Sequence, residues 1–382
     1  MRKTVFVLVC GIFFISCSNT KKIAGTAAAH NINALKFLGE YEMPFDMTYN
    51  NTTVGGLSSI DYAAGEDAYY MICDDRSDKN PARFYKAKIF ISGKGIDSMR
   101  FIDVQYLLQP NNAVYPNKLQ DRKNTPDPEA MRYNPVLKEL VWSSEGERIV
   151  KESDTVLANP SIIAMATNGT FKTAFELPAN LLMHATQSGP RQNGVLEGMS
   201  FADNYTSLFV NVEEPLYEDG PRADITDNNA WIRILKFDTD SKKNTAQYAY
   251  KLDPVAYAAD PVTAFKINGV PDILSTGNNQ LLVVERSFST GRLACTIKVF
   301  IADLAKATDI KDIPSLKANT SFVPAIKKLL LNMDDLGIYI DNIEGVTFGP
   351  VLPNGHRSLL FIADNNFSEK EKAQLLLFEI IE

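Results

Sequence analysis

The stretch NIEGVTFGP, residues 342–350, places an acid directly before a glycine and then alternates apolar with polar residues. VLEGMSFAD at 195–203 has the same form, and DPEAMRYNP at 127–135 is a looser version. VGGLSSIDY at 54–62 keeps the glycine but lacks the acid, and PDILST at 271–276 is the weakest copy. Alternation of this kind is typical of a strand with one buried face. Each copy is therefore predicted to form a β-strand.

Each copy begins a longer repeat. A turn and a second apolar run follow every copy, and two further strand candidates follow in all but the last, which has AQLLLFEII at 373–381 alone. A unit of four strands repeated at a regular interval is the signature of a β-propeller. The leading positions of the five copies are 68 to 75 residues apart, at Gly55, Glu129, Glu197, Asp272 and Glu344.

The last unit is one strand short, and ALKFLGEYEMP at 34–44 precedes the first unit without another partner. Pairing of this N-terminal strand with the C-terminal blade would leave no open sheet edge. The prediction is an all-β propeller of five four-stranded blades, in one domain spanning 34–382. Six blades are the alternative if 104–126 or 305–332 hold further strands. Two separate β-sandwiches would not explain the even spacing.

Residues 1–17 have the features of an export signal. Two basic residues precede the apolar run VFVLVCGIFFI at 5–15, which is too short to span a bilayer comfortably. A serine and then Cys17 follow, which resembles the bacterial lipoprotein signal, so Cys17 is the predicted lipidation site. An ordinary cleaved secretory signal is the alternative. Residues 18–33 would then tether the domain to a membrane, in the periplasm or at the cell surface.

The composition argues against several classes of function. Net charge is −7 and no basic block occurs, so nucleic acid is not an expected partner. No G-x-S-x-G motif or phosphate-binding loop is present. Cys73 and Cys295 are the cysteines beyond the signal, and they form no zinc motif. Two buried thiols are expected, although an oxidising compartment would permit a disulfide.

The leading acids are expected to meet at one rim of the central channel. In a propeller blade, the start of the first strand and the end of the second lie on the same face. Carboxylates this close raise each other's pKa unless arginines or a cation compensate. Oxygen ligands without histidine or cysteine favour calcium. The alternative is structural, because a glutamate at a strand start can accept backbone N–H bonds from the neighbouring blade.

The candidate site residues fall into three groups. The candidate catalytic groups are Glu197, Asp75 and His184. The candidate substrate-binding residues, chiefly arginines that form charge-assisted bonds with phosphate, are Arg76, Arg83, Arg191, Asn193 and Arg286. The candidate metal ligands are Asp74, Glu129, Glu213, Glu344 and Asp364.

Three stretches carry a family resemblance: GGLSSIDY with YYMICDDRSDKNPARFY (55–85), GPRQNGVLEGMSF (189–201) and NIEGVTFGPVLPNGHRSLLFIADNNFS with QLLLFEI (342–380). Together they resemble the phytase-like domain family, also described by an esterase-like activity of phytase. The resemblance implies a β-propeller in an exported bacterial protein. It also implies a hydrolase of phosphoesters or other esters, with calcium as the cofactor.

Two alternatives to this function remain open at the level of the sequence. One is a membrane-anchored propeller without catalytic activity that binds a ligand or a partner protein. The other is a calcium-dependent lactonase-type esterase. The expected partners of a hydrolase are a small-molecule ester or phosphoester and, through Cys17, a membrane. A monomer is expected.

Overall fold

The computed structural model describes residues 31–382, which form five four-stranded antiparallel sheets arranged in a ring. In the fifth sheet the outermost strand is the N-terminal segment Ala34–Met43, which pairs antiparallel with Ala373–Ile381. The predicted five-bladed propeller, closed by its N-terminal strand, is therefore confirmed. The six-bladed and β-sandwich alternatives are wrong.

The strands of each blade are given from the channel outward. Blade 1 contains Leu57–Ala63, Ala68–Cys73, Arg83–Ser92 and Gly95–Tyr106. Blade 2 contains Pro128–Asn134, Glu139–Ser144, Ser161–Ala166 and Phe171–Ala174. Blade 3 contains Leu196–Ala202, Ser207–Val212, Trp231–Asp238 and Asn244–Lys251. Blade 4 contains Lys266–Gly277, Gln280–Ser289, Thr296–Asp303 and Ile326–Asn332. Blade 5 contains Asn342–Val351, Arg357–Asp364, Ala373–Ile381 and Ala34–Met43.

Two short hairpins and four short helical segments of the described chain lie outside the five sheets. Two small hairpins pair Thr48–Tyr49 with Thr52–Thr53 and Glu147–Lys151 with Asp154–Ala158. The helical segments are Lys118–Asp121, Ala179–Leu181, Asp203–Tyr205 and Met333–Leu336. Within residues 31–382, no helix is long and apolar enough to cross a membrane.

Neighbouring blades pack through apolar side chains of their inner strands. The second strands Ala68–Cys73 and Ser207–Val212 are buried at every position. Where the ring closes, Leu360 and Ile362 of blade 5 pack in one cluster with Ile60 of blade 1. Burial of such side chains is worth about 1.5–3 kcal/mol each. Closure therefore depends on side-chain packing between blades as well as on the strand pairing within blade 5.

Cys73 and Cys295 are both buried and unpaired, as predicted. The Cys73 thiol contacts the carbonyl oxygen of Gly55 at 3.1 Å. The predicted lipidation site Cys17, the signal at 1–17 and most of the tether at 18–33 lie outside the described residues.

One side chain, Arg132, bonds to all the other four blades across the channel. It lies in the inner strand of blade 2, and its Nη2 donates to both carboxylate oxygens of Asp272 in blade 4, at 2.8 and 2.6 Å. Its Nη1 donates to the carbonyl of Ile60 in blade 1 at 2.7 Å. Its Nε donates to Met199 of blade 3 at 2.6 Å, and Nη2 reaches Val346 of blade 5 at 3.2 Å. The guanidinium therefore connects the inner strands of all five blades.

Asp272, the partner of Arg132, does not lie where the sequence predicted. Asp272 leads the fourth repeat and was expected at the rim, but it faces inward and is 1% exposed. A break in the strand register between Gly269 and Asp272 places it opposite Val284. Burial raises the pKa of Asp272 to about 6, against the opposing effect of the Arg132 charge. Its carboxylate also accepts the backbone N–H of Val346 at 2.8 Å.

Replacement of Arg132 by methionine is expected to lower the free energy of unfolding by about 3–5 kcal/mol, because Asp272 would be left buried without a partner. Chemical denaturation monitored by tryptophan fluorescence measures the change. The double variant Arg132→Met, Asp272→Leu removes both charges and should recover much of the loss. A single variant as stable as the parent protein would show that this arginine does not hold the inner strands.

Candidate active site in the channel mouth

A cavity of about 420 Å³ opens where the inner strands begin, and all five blades contribute to its lining. Its walls carry more acids than bases. The seven carboxylates are Asp74, Asp127, Glu129, Glu145, Glu197, Glu213 and Glu344. The three cationic side chains are Arg76, Lys118 and Arg286.

The repeated acid–glycine motif produces this ring of carboxylates. In all five blades the pairing of the inner strand with the second strand shifts at the motif, as between Leu196 and Met199 in blade 3. Such a bulge redirects the local side chain. The glycine gives room for the next blade: a Cβ on Gly198 would lie 2.6 Å from the Cα of Asp272. The motif is thus a bulge that aims an acid into the channel while backbones of adjacent blades pass close together.

Blade 1 also contributes a carboxylate to the cavity, although its copy of the motif has no acid. Gly56 has a φ of 58°, and a Cβ there would lie 2.0 Å from Asp74 Oδ1. The acid of this blade therefore comes from the end of the second strand, and the glycine leaves space for it.

Three of the carboxylates form a compact cluster. One ligand oxygen from each of Asp127, Glu129 and Glu145 lies within 4.8 Å of the others. Burial raises the pKa of Asp127 to about 6 and that of Glu145 to about 8, and it raises the pKa of Glu129 well above its ordinary value. Neighbouring carboxylates add to the shifts of Glu129 and Glu145. The cluster therefore holds protons at neutral pH in the absence of a compensating positive charge.

Asp74 and Asp364 each have one buried oxygen without a partner in the part of the chain that the structure describes, as does Glu214. Asp74 Oδ1 and Asp364 Oδ2 are buried and accept no hydrogen bond from residues 31–382. Burial, followed by the charge of Glu344, raises the pKa of Asp74 to about 8. The pKa of Asp364 is raised well above its ordinary value by burial and then by Asp74. Buried oxygens of this kind are costly unless a proton or a cation satisfies them.

Glu145 and Glu197 interact directly at the mouth of the channel. Glu145 accepts the backbone N–H of Gly194 at 2.7 Å and that of Val195, and it also forms a hydrogen bond with Glu197. The pKa of Glu197 is raised well above its ordinary value, first by burial and then by the charges of Glu145 and Glu213. The raised pKa favours the protonated form of Glu197, which lies against a Glu145 carboxylate that the two backbone N–H groups hold in place.

The cavity arginines are already bound to acids. Arg286 donates to Glu213 at 2.9 Å, to Asn342 at 2.6 Å and to Glu344, which links blades 3, 4 and 5. Arg76 lies 3.1 Å from Asp127 and 3.2 Å from Glu147. Both guanidinium groups thus partly neutralise the ring of carboxylates.

The structure brings most of the predicted site residues together. Those that line the cavity are Asp74, Arg76, Glu129, Asn193, Glu197, Glu213, Arg286 and Glu344. Asp364 is buried and interacts electrostatically with Asp74 and Glu344, without lining the cavity itself.

Asp75 and Arg83 do not lie in the cavity. They form a buried ion pair at 2.6 Å. The Asp75 carboxylate also accepts the backbone N–H groups of Asp78 and Asn80, at 2.8 and 2.9 Å. Arg83 donates to the carbonyl of Thr53 at 2.7 Å. The pair therefore fixes the connection between the second and third strands of blade 1.

His184 and Arg191 also lie outside the cavity. His184 is exposed in a loop, where its carbonyl oxygen accepts from Arg148 Nε at 2.9 Å. Arg191 donates to the carbonyls of Pro215 and Gly220 at 2.8 and 2.9 Å, and its guanidinium lies 4.3 Å from the centre of the Tyr217 ring. Arg191 therefore supports the long loop of blade 3.

Several residues that line the cavity were not among the predicted site residues. Asp127 and Glu145 belong to the acid cluster. Both could have been predicted from the sequence, because Asp127 opens the second copy of the motif and Glu145 directly follows the adjacent strand. The apolar residues Phe265, Ile267 and Phe288 form a wall in blade 4. That blade carries the weakest copy of the motif, so the sequence contains no comparable signal for its wall.

The carboxylate ring predicts an unusual pH dependence of stability. Asp74 and Glu145 have pKa values of about 8 in the folded chain. The folded state then binds more protons than the unfolded state between about pH 4.5 and about pH 8, so stability falls as pH rises through this range. Melting temperatures measured in EDTA should fall accordingly, and calcium should restore more stability at the high end of the range.

The neutral variant Glu129→Gln provides the control, because it removes one ionisable group and should flatten the slope in EDTA. A melting temperature that rises steadily with pH in EDTA would contradict the assignment of raised pKa values to these acids.

The fold and the cavity define a five-bladed β-propeller with a carboxylate-lined channel mouth. Residues 52–367 match the phytase-like family, described as esterase-like activity of phytase, and the chain belongs to that family. The resemblance noted in the sequence is confirmed. No curated protein matches the chain.

Three solved structures align with most of this chain. An endo-1,4-β-xylanase from Bacteroides thetaiotaomicron aligns with a TM-score of 0.42 and 10% identity, covering 90% of this chain and 91% of that one. A gluconolactonase from Xanthomonas campestris aligns with a TM-score of 0.36 and 8% identity, covering 94% and 98%. An exo-β-1,3-galactanase from Phanerochaete chrysosporium aligns with a TM-score of 0.43 and 12% identity, covering 90% and 65%. None of these likenesses bears on the function of this chain.

Proposed function

We propose that this protein is a calcium-dependent ester hydrolase whose active site is the carboxylate-lined cavity of the channel mouth. The observation that carries the proposal is the set of seven carboxylates against three cationic side chains in one cavity. The family description, esterase-like activity of phytase, supports the same chemical class.

The donor set fits a hard cation. Asp127, Glu129 and Glu145 offer three oxygens close together, and Asp74 offers a buried oxygen without a partner. Calcium prefers six to eight oxygen ligands and uses carboxylates freely, so these residues would hold it. When bound, calcium supplies positive charge that polarises an ester oxygen.

Glu197 is the proposed general acid and base. Its carboxyl retains a proton at neutral pH because burial and neighbouring acids raise its pKa. A water would attack the ester carbon, and as the bond to the alcohol oxygen breaks Glu197 would give its proton to that oxygen and regain one from the attached water, so that the acid and the alcohol leave with the carboxyl restored. Glu145 holds the Glu197 carboxyl in one orientation, because two backbone N–H groups fix the Glu145 carboxylate. Asn193 and Asn342 offer neutral polar groups to the substrate.

The state of the arginines favours a carboxylic ester, a class that includes lactones, over a phosphoester. Arg76 and Arg286 are both bound to carboxylates, so neither offers a free bidentate face to phosphate. A phosphoester is the second candidate, because Lys118 also lines the cavity and forms no ion pair with any described residue. Bound calcium would add further positive charge for a phosphate.

The test is hydrolysis of 4-nitrophenyl acetate and 4-nitrophenyl phosphate, each with calcium and with EDTA. Activity should require calcium, and Glu197→Gln should lower kcat by about 100-fold or more. Calorimetry should show that calcium binding survives in Glu197→Gln and weakens in Glu129→Gln. Glu176→Gln is the matched control, because Glu176 is an exposed glutamate outside the cavity, and it should change neither quantity.

The outcomes separate the competing functions. Calcium-dependent turnover of the acetate alone selects the carboxylic esterase, and turnover of the phosphate selects the phosphoesterase. Calcium binding without turnover of either substrate would favour a propeller that binds a ligand or a partner protein.

We also propose that the protein is exported and tethered to a bacterial membrane through Cys17. The support is the sequence of residues 1–17. Cys17→Ser should move the protein from the membrane fraction to the soluble fraction of the cells. Retention of the variant in the membrane fraction would overturn the lipid anchor.

A further inference from the structure

Blade 4 gives the cavity an apolar wall. Phe265 precedes its inner strand, Ile267 lies within that strand, and Phe288 lies opposite Ile267 in the second strand. The rings of Phe265 and Phe288 are 6.2 Å apart with planes inclined by 38°. Phe265 is 53% exposed although it borders an acidic cavity. An exposed aromatic ring inside a concave site is a typical contact for a ligand.

The wall is apolar because blade 4, unlike its neighbours, has no motif carboxylate at the rim. The acid of its motif, Asp272, points inward to Arg132 and leaves the rim of this blade without a motif carboxylate. Arg286 is the one charged lining residue that blade 4 contributes, and it is directed to Glu213 and Glu344 of the adjoining blades. The cavity therefore has acids on four sides and an apolar surface on the fifth.

Two exposed apolar side chains lie in the loops that adjoin the wall. The loop before the inner strand contains Val262, which is 72% exposed, and the loop after the second strand contains Leu293, which is 85% exposed. Thr290 in the second loop donates its backbone N–H to Phe265, so the two loops are joined at the mouth of the cavity.

A small molecule is the occupant that this geometry favours. Ile267 and Phe288 lie inside a cavity of about 420 Å³, which a flat protein or membrane surface could not enter. This volume falls within the range of small-molecule sites, about 300–1,000 Å³. The excess of carboxylates over cationic groups disfavours a polyanion, while a neutral polar group can approach both acids and bound calcium.

We propose that the cavity takes a neutral ester that carries an aryl group, with the aryl ring on the Phe265–Phe288 wall and the ester group directed to the carboxylates. The ester part of this inference rests on the proposed function. The aryl part rests on the wall alone, and it makes an aromatic ring the feature by which the site selects its substrate.

The experiment compares binding of two unreactive amides by calorimetry and ligand-observed NMR. Acetanilide is the isostere of phenyl acetate, and N-methylacetamide lacks the ring. Acetanilide should bind, N-methylacetamide should bind about tenfold more weakly or undetectably, and Phe265→Ala should weaken acetanilide binding by about tenfold. Phe265→Trp keeps a ring and should retain binding. Phe90→Ala removes a similarly exposed ring, 44% exposed, from blade 1 outside the cavity and should have no effect.

Hydrolysis of phenyl acetate and methyl acetate by the calcium-loaded protein tests the esterase activity separately from the recognition of the aryl ring. Phenyl acetate is the more reactive ester because phenoxide is the better leaving group, so the informative quantity is the effect of Phe265→Ala on each substrate. A fall of about tenfold in kcat/KM for phenyl acetate, with methyl acetate unchanged, supports both the function and the selectivity. Ring-dependent binding without hydrolysis of either ester supports the aryl wall and overturns the esterase. Equal binding of the two amides, or acetanilide binding unchanged in a folded Phe265→Ala protein, overturns the aryl wall.

Discussion

The guanidinium of Arg132 is the interaction on which the rest of the structure depends. It lies among the inner strands of five blades and bonds to a group on each of the other four. A buried guanidinium can satisfy several carbonyls at once because its donors are fixed in a plane. Its charge requires a buried partner, and Asp272 provides it. The consequence reaches the channel mouth, since the acid that pairs with Arg132 is withdrawn from the rim and blade 4 presents phenyl rings there instead.

The acid–glycine motif joins architecture and chemistry in a single bulge. Gly198 and Gly345 allow the backbone of the adjoining blade to pass closely, which is a requirement of the ring. The preceding acids, Glu197 and Glu344, are displaced toward the channel by the same break in register. Structural and functional explanations of the motif are therefore complementary, because the glycine serves the packing of blades and the acid serves the cavity.

The sequence was sufficient to predict the ring but only part of the site. Even spacing of the strands and the unpaired N-terminal strand determined the blade number and closure, because both follow from the need to pair every edge. Glu129, Glu197 and Glu344 were predictable because each lies near the start of the inner strand of its blade, which is the end of the strand at the channel mouth. Asp75 and Arg83 were not, because local hydrogen bonds of a loop turn them into a structural ion pair. Asp272 was misplaced because it follows the register break of blade 4, opposite Val284, as Met199 follows the break of blade 3, whereas Glu197 lies within the break.

The closure of blade 5 has a consequence for how the protein acquires its fold during synthesis. Of the strands in the ring, the one at 34–43 is translated first and its partner at 373–381 is translated last. Lys36 and Glu379, which form a hydrogen bond between these strands, are 343 positions apart in the sequence. Contacts so distant in sequence form slowly, and an unpaired strand edge is a template for association with other chains. The N-terminal strand therefore stays without its native partner until the last strand has been translated, so the fifth sheet is completed last and its edge is open to association until then.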